Sequence, residues 1–147
     1  MKRSIRFLLL AACFPFCAMA TQADQVKAAH AWIRMLPGSL PAGGYVTLQN
    51  PSASAATLVG AHSDAYAMVM LHRSTVDKGG NSSMRGVDRL DIPVHGQVAL
   101  APAGYHLMLQ QAAHPQQVGN TVDIILDFAD GSHLHVPFLV RPANATD

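Results

Sequence analysis

Beyond residue 17 this 147-residue chain has no cysteine; its only two, Cys13 and Cys17, both lie within the first 20 residues. If that stretch is a leader, disulfides and thiolate metal sites leave with it. A blue-copper centre, which needs a Cys beside two His, is then excluded. No apolar run reaches the ~20 residues of a membrane-spanning helix. Charge is scarce: 13% of residues are charged and the formal net charge is +1. Nothing resembles the clustered basic face that nucleic-acid binding needs. His-Glu-x-x-His, Gly-x-Ser-x-Gly and phosphate-loop patterns are all missing, and no enzyme is expected. No long segment repeats its apolar residues with a period of 3.6, so helix should be sparse.

What the first 20 residues do contain is a secretory pattern. Lys2, Arg3 and Arg6 are followed by 11 apolar residues from Phe7 to Cys17, and then by Ala18-Met19-Ala20, a small-x-small cleavage site. The chain is expected to be exported to the periplasm and to start at Thr21. Leu10-Ala11-Ala12-Cys13 offers a second, less favoured outcome, a lipid anchor at Cys13, because only six apolar residues precede that cysteine. Either outcome puts the domain in an oxidising compartment.

After a polar entry segment from Thr21 to Lys27, short runs rich in Val, Ile, Leu, Tyr and Phe are cut by Gly, Pro, Asn and Asp. That is the pattern of an all-β sandwich or barrel. The runs predict strands over His30–Met35, Gly44–Asn50, Ala56–His62, Tyr66–Arg73, Ser83–Val87, Gln97–Leu100, Tyr105–Gln110, Thr121–Phe128 and Ser132–Val140. Pro137 marks the last as an edge or bulged strand. Asn50-Pro51-Ser52 and Asp77-Lys78-Gly79-Gly80-Asn81 read as turns, and Asp130-Gly131 as a tight hairpin.

Against this background two His–Met elements stand out: His72 followed by Met84, and His106-Leu107-Met108. Alternation along a strand projects His106 and Met108 to one face, and likewise Met68, Met70 and His72. Thioether sulfur selects soft ions, above all Cu(I), and imidazole suits copper as well. Two imidazoles and two thioethers without a thiolate therefore read as a Cu(I) site. The bland alternative is a metal-free β-sandwich interaction module with Met108 in its core, since methionine is a good core filler. Met84, between Ser83 and Arg85, is harder to explain that way. His133 and His135 share a strand face and could take Zn(II) or Cu(II), but no third ligand is apparent in sequence. His30, His62, His95 and His114 read as surface or turn residues, with His62 the best candidate for a neighbour of His72.

The spacing His72, 11 residues, Met84, 21 residues, His106-Leu107-Met108 resembles the signature of the periplasmic copper chaperones of the PCu(A)C type. Ala31-Trp32-Ile33-Arg34, Gly44-Tyr45-Val46-Thr47-Leu48-Gln49-Asn50, Gly104-Tyr105-His106-Leu107-Met108-Leu109 and Leu126-Asp127-Phe128-Ala129-Asp130-Gly131 are similar to that family's segments. The resemblance implies one cupredoxin-like antiparallel β-domain over 29–140, between an N-terminal segment (21–28) and a tail (141–147). It implies a monomeric carrier holding Cu(I) through His72, Met84, His106 and Met108. Its partner would be a copper-accepting protein, the oxidase copper subunit or an assembly factor, on the way to the dinuclear centre of cytochrome c oxidase. Copper sequestration without delivery would use the same residues. Three positions depart from the family: Met70 stands where Glu is common, Arg73 where Met is common, and Ala103 follows Pro102 where Gly is usual.

Overall fold

The computed structural model describes residues 19–146; the expected leader falls almost wholly outside them, Cys13 and Cys17 included. A four-residue helix, α1 (Gln22–Gln25), precedes ten strands: β1 (Lys27–Arg34), β2 (Ala42–Asn50), β3 (Ala56–His62), β4 (Tyr66–Val76), β5 (Ser82–Gly86), β6 (Leu90–Ile92), β7 (Gly96–Leu100), β8 (Tyr105–Ala112), β9 (Thr121–Phe128) and β10 (His133–Arg141). They form one ladder in the order β5-β4-β8-β7-β2-β1-β10-β9-β3-β6, with β8 also pairing β2. The all-β, cupredoxin-like expectation holds. All pairings are antiparallel except two short parallel ones, β1 with β10 and β7 with β8.

Period-two alternation builds the core. Val122, Ile124, Leu126 and Phe128 of β9 go inward, as do Val136, Phe138 and Val140 of β10, and Leu107 and Leu109 of β8. These join one continuous apolar cluster with Ile33, Val46, Leu48 and Leu58. The turns form as their residues dictate. Asp77 Oδ1 accepts from the Gly79 and Asn81 amides at 2.8 and 2.9 Å. Gly131, at φ 81°, closes the β9–β10 hairpin.

Two expectations are corrected. Pro137 does not make β10 an edge strand: β10 lies between β1 and β9. Its pairing with β1 is confined to Leu139–Arg141, so Pro137, opposite Asp123 of β9, interrupts no ladder on the β1 side. β1 diverges there because its register with β2 shifts between Ala29 and Trp32, with His30 at φ 54°. The entry segment is not simply polar either. Thr21 caps α1 in a reciprocal box with Asp24, and Ala23 and Val26 are buried. Asp130 and Ser132 accept from the Gln22 and Ala23 amides at 2.7 and 3.0 Å.

Candidate metal centre

At one end of the ladder β5, β4 and β8 lie side by side. Leu71, Leu107 and Leu109 are buried in the core. Alternation therefore turns Met70 and His72 of β4, and His106 and Met108 of β8, to the opposite face. Register brings them together: His72 stands directly across from His106 and Met70 across from Met108. On the other side Gly86 faces His72 and Met84 faces Ser74. The His72 and His106 ring centroids are 6.0 Å apart, their planes tilted by 50°. A ring nitrogen binds a zinc-sized ion at about 2 Å, so rings at this separation can share one ion. Met84, His106 and Met108 line a cleft of about 330 Å³ together with Arg34, Gly43 and Tyr45. His72 is not in its wall and joins the cluster through His106.

The polar atoms are arranged unequally. His106 is buried, and its Nδ1–H donates to the Gly104 carbonyl at 3.1 Å, which leaves Nε2 with a free lone pair. The same carbonyl accepts from the Ser74 amide at 3.0 Å, tying β4 to the turn before β8. His72 Nδ1 is buried with no hydrogen-bond partner. An unpaired buried nitrogen costs about 1–3 kcal/mol, a cost that a bound ion would remove. Burial, and after it the neighbouring His106, holds the His72 pKa below its ordinary 6.5, so the ring is neutral at neutral pH. The Met108 sulfur accepts from Gln110 Nε2 at 3.1 Å.

This donor set is soft and uncharged. Among the described residues no group of three or more His, Cys, Asp or Glu gathers to hold an ion. Among the described residues, Arg34 is the only charged side chain in the cleft wall. Its guanidinium lies 5.1 Å from the Tyr45 ring centroid and 5.9 Å from that of Trp32, and donates to the Tyr45 hydroxyl. Neutral ligands beside a fixed positive charge suit a monovalent ion better than a divalent one.

The departures from the family pattern fall into place. Arg73 alternates away from His72 and stacks 5.1 Å over the Tyr105 ring, so its charge is on the other face. Met70 adds a third thioether opposite Met108. Ala103 adopts φ 64°, a conformation that favours the glycine usual there. Sequence reasoning assigned no role to Arg34, Tyr45, Gln110 or the Gly104 carbonyl. The Trp32-Ile33-Arg34 and Gly44-Tyr45 segments were noticed, but their convergence on β8 depends on pairings that a single sequence does not display. One expectation was wrong: His62 does not neighbour His72. It sits on β3 and contacts Asp127 of β9, at 3.0 Å.

The outer face of β4 and β8 carries paired imidazoles and thioethers, on a cupredoxin-like β-domain whose fold is that of solved PCuAC domains. The chain belongs to the LpqE-like family, described as "Putative lipoprotein LpqE-like", whose model matches residues 26–140. It is 31% identical over 111 residues to "Putative lipoprotein Lxx21020" of Leifsonia xyli subsp. xyli; the match takes in 76% of this chain and 66% of the length of that relative. Among solved structures, apo-DR1885 of Deinococcus radiodurans is 31% identical, with a TM-score of 0.63 and 100% of both chains covered. The CuI form of DR1885 is 33% identical, with a TM-score of 0.64 over 88% of this chain and 84% of that one. The copper-bound PCuAC domain from PmoF2 shares the fold, at 23% identity and a TM-score of 0.66, over 80% of this chain and 93% of that one.

Proposed function

We propose that this protein is an exported copper carrier that holds one Cu(I) through His72, Met84, His106 and Met108 and passes it to an acceptor protein. The observation that carries this reading is the register of β4 and β8. It sets two imidazoles directly across from each other, one of them with an unsatisfied buried nitrogen, beside two thioethers and no carboxylate. The Cu(I)-bound state of DR1885, a relative of 33% identity, supports the choice of ion.

The geometry suggests an order of release. Met84 is on the exposed edge strand β5 and is itself half exposed, whereas His106 is buried and tethered to Gly104. An incoming ligand from the acceptor displaces the Met84 sulfur first, without any proton transfer, and the imidazoles let go last. Delivery toward the dinuclear copper centre of cytochrome c oxidase is the finer form of the proposal. It is distinguished from plain sequestration by direct transfer of Cu(I) to an apo oxidase copper domain. The relatives described as lipoproteins raise the weight of a lipid anchor at Cys13 relative to cleavage before Thr21. Incorporation of labelled palmitate, present with Cys13 and absent in Cys13→Ser, separates the two.

The ligand set is tested by replacing both thioethers. Met84→Ala with Met108→Ala should weaken Cu(I) by more than about 100-fold in a chromophoric-chelator competition, beyond what loss of a residue behind the ligands costs. Cu(I) affinity that survives the double change overturns the assignment.

A further inference from the structure

The second candidate cluster lies on the other side of the fold. The face of β9 turned away from the core carries Asp123, Ile125 and Asp127, because Ile124, Leu126 and Phe128 point inward. His133 of β10 is directly opposite Asp127, while His62 of β3 and His135 of β10 both face Ile125. Asp127 accepts from both sides: Oδ1 takes His133 Nδ1–H at 2.7 Å and Oδ2 takes His62 Nδ1–H at 3.0 Å. An ionised carboxylate only accepts, so both rings carry their proton on Nδ1 and turn a free Nε2 lone pair away from it. The ring centroids are 6.1 Å apart with planes at 85°. Both imidazoles are more than half exposed, at 54% and 56% of the side chain.

A histidine that donates one ring nitrogen to a carboxylate while the other stays free is the usual arrangement of a metal ligand. Here one carboxylate serves two such rings. We propose that His62 and His133, presented by Asp127, form a second metal site, distinct from the His–Met cluster, for a divalent imidazole-seeking cation. Cu(II) binds foremost, with Zn(II) and Ni(II) weaker, following the general order for nitrogen ligands. The two Nε2 atoms supply two bonds of about 2 Å each, so they must come within about 4 Å of each other. With their centroids 6.1 Å apart, the exposed rings must turn about their side-chain bonds to reach this. Water completes the shell, since both Asp127 oxygens are taken up by the Nδ1 atoms and no group of three or more metal-holding His, Cys, Asp or Glu gathers among the described residues. Nitrogen ligands without sulfur suit divalent ions better than the thioether-rich set of the other site does. His135, held in the same way by Asp123 at 2.7 Å, is one pairing row along the same face.

The test uses the whole protein carrying His72→Ala and His106→Ala, titrated with Cu(II) against glycine as competitor and followed by electron paramagnetic resonance. One equivalent with coupling to two nitrogens is expected. Adding His62→Ala and His133→Ala should remove that coupling and lower the affinity at least tenfold. Asp127→Asn should weaken binding by about 10- to 100-fold. The unaltered protein titrated with Zn(II) gives an independent reading: imidazole nitrogen resonances of His62 and His133 should shift at Nε2 and not at Nδ1. The same spectrum and affinity after loss of His62 and His133 would mean adventitious binding elsewhere and would overturn the proposal. So would Zn(II) shifts confined to other histidines. Because Cu(I) is not involved, failure here leaves the His–Met reading standing, and the reverse holds too.

Discussion

Two pairs of histidines in this molecule are held at nearly the same spacing, 6.0 Å for His72 and His106 and 6.1 Å for His62 and His133, yet their surroundings are opposites. The first pair sits among methionines, with His106 buried and one His72 nitrogen left unpaired. The second is exposed and joined by a carboxylate that satisfies both Nδ1 atoms. Ring separation therefore says little about which ion a site prefers. The neighbours decide: sulfur and a nearby guanidinium on one side, oxygen and water on the other.

The contrast can be put under strain at several levels. The largest effect comes from the core behind each pair. Leu107, fully buried between His106 and Met108, and Leu126, fully buried beside Asp127, should each cost about 2–5 kcal/mol when cut to alanine. Chemical denaturation measures both. Only Leu107→Ala should also loosen Cu(I), because its strand positions two of the proposed ligands, His106 and Met108. Equal Cu(I) loss in Leu126→Ala would break the separation between the two regions.

Next are the turns that feed the two regions. The β9–β10 hairpin has Gly131 at φ 81°, whereas the turn before His106 has Ala103 at φ 64°. A side chain in this left-handed region costs about 1 kcal/mol or somewhat more. Ala103→Gly should therefore raise stability by about that amount, and Gly131→Ala should lower it by a similar amount. Thermal unfolding reads both; two shifts of the same sign would refute the account of these turns.

The smallest effect belongs to His72. Its folded-state pKa lies below 6.5 because burial, and then His106, disfavour its charge. At higher pH the ring is neutral in both states. As pH falls through 6.5 the unfolded chain takes up a proton that the folded chain refuses, so stability drops until the lowered folded value is passed. His72→Gln should remove that acid slope from the metal-free protein. An unchanged slope would place its origin elsewhere.

Much of this is legible in the sequence. Ala56–His62 and Thr121–Phe128 were bounded correctly, because turn residues flank runs long enough to show their period. The His–Met spacing was readable because strand alternation alone puts His106 and Met108 on one face. β6 escaped notice because Leu90–Ile92 is three residues with an aspartate in the middle. α1 escaped although Thr21 and Asp24 form its capping box, since a single turn leaves no period to detect. Arg34 in one cleft wall with Met84, and Asp127 between His62 and His133, are invisible in sequence for a different reason: each depends on which strands become neighbours. β9 joins residues separated by 65 positions in one case and 6 in the other.

The lone nitrogen of His72 also bears on how the empty and filled forms differ. A protein that buries a polar atom without company is least comfortable when it has nothing to carry. Loading should then do more than occupy a space: it should raise the melting temperature and quiet the motions of β4 and β8 together, since both hang on the Gly104 carbonyl. If the proposed carrier role holds, a recipient would tell a laden courier from a spent one by the firmness of this edge, before any atom of the cargo is touched.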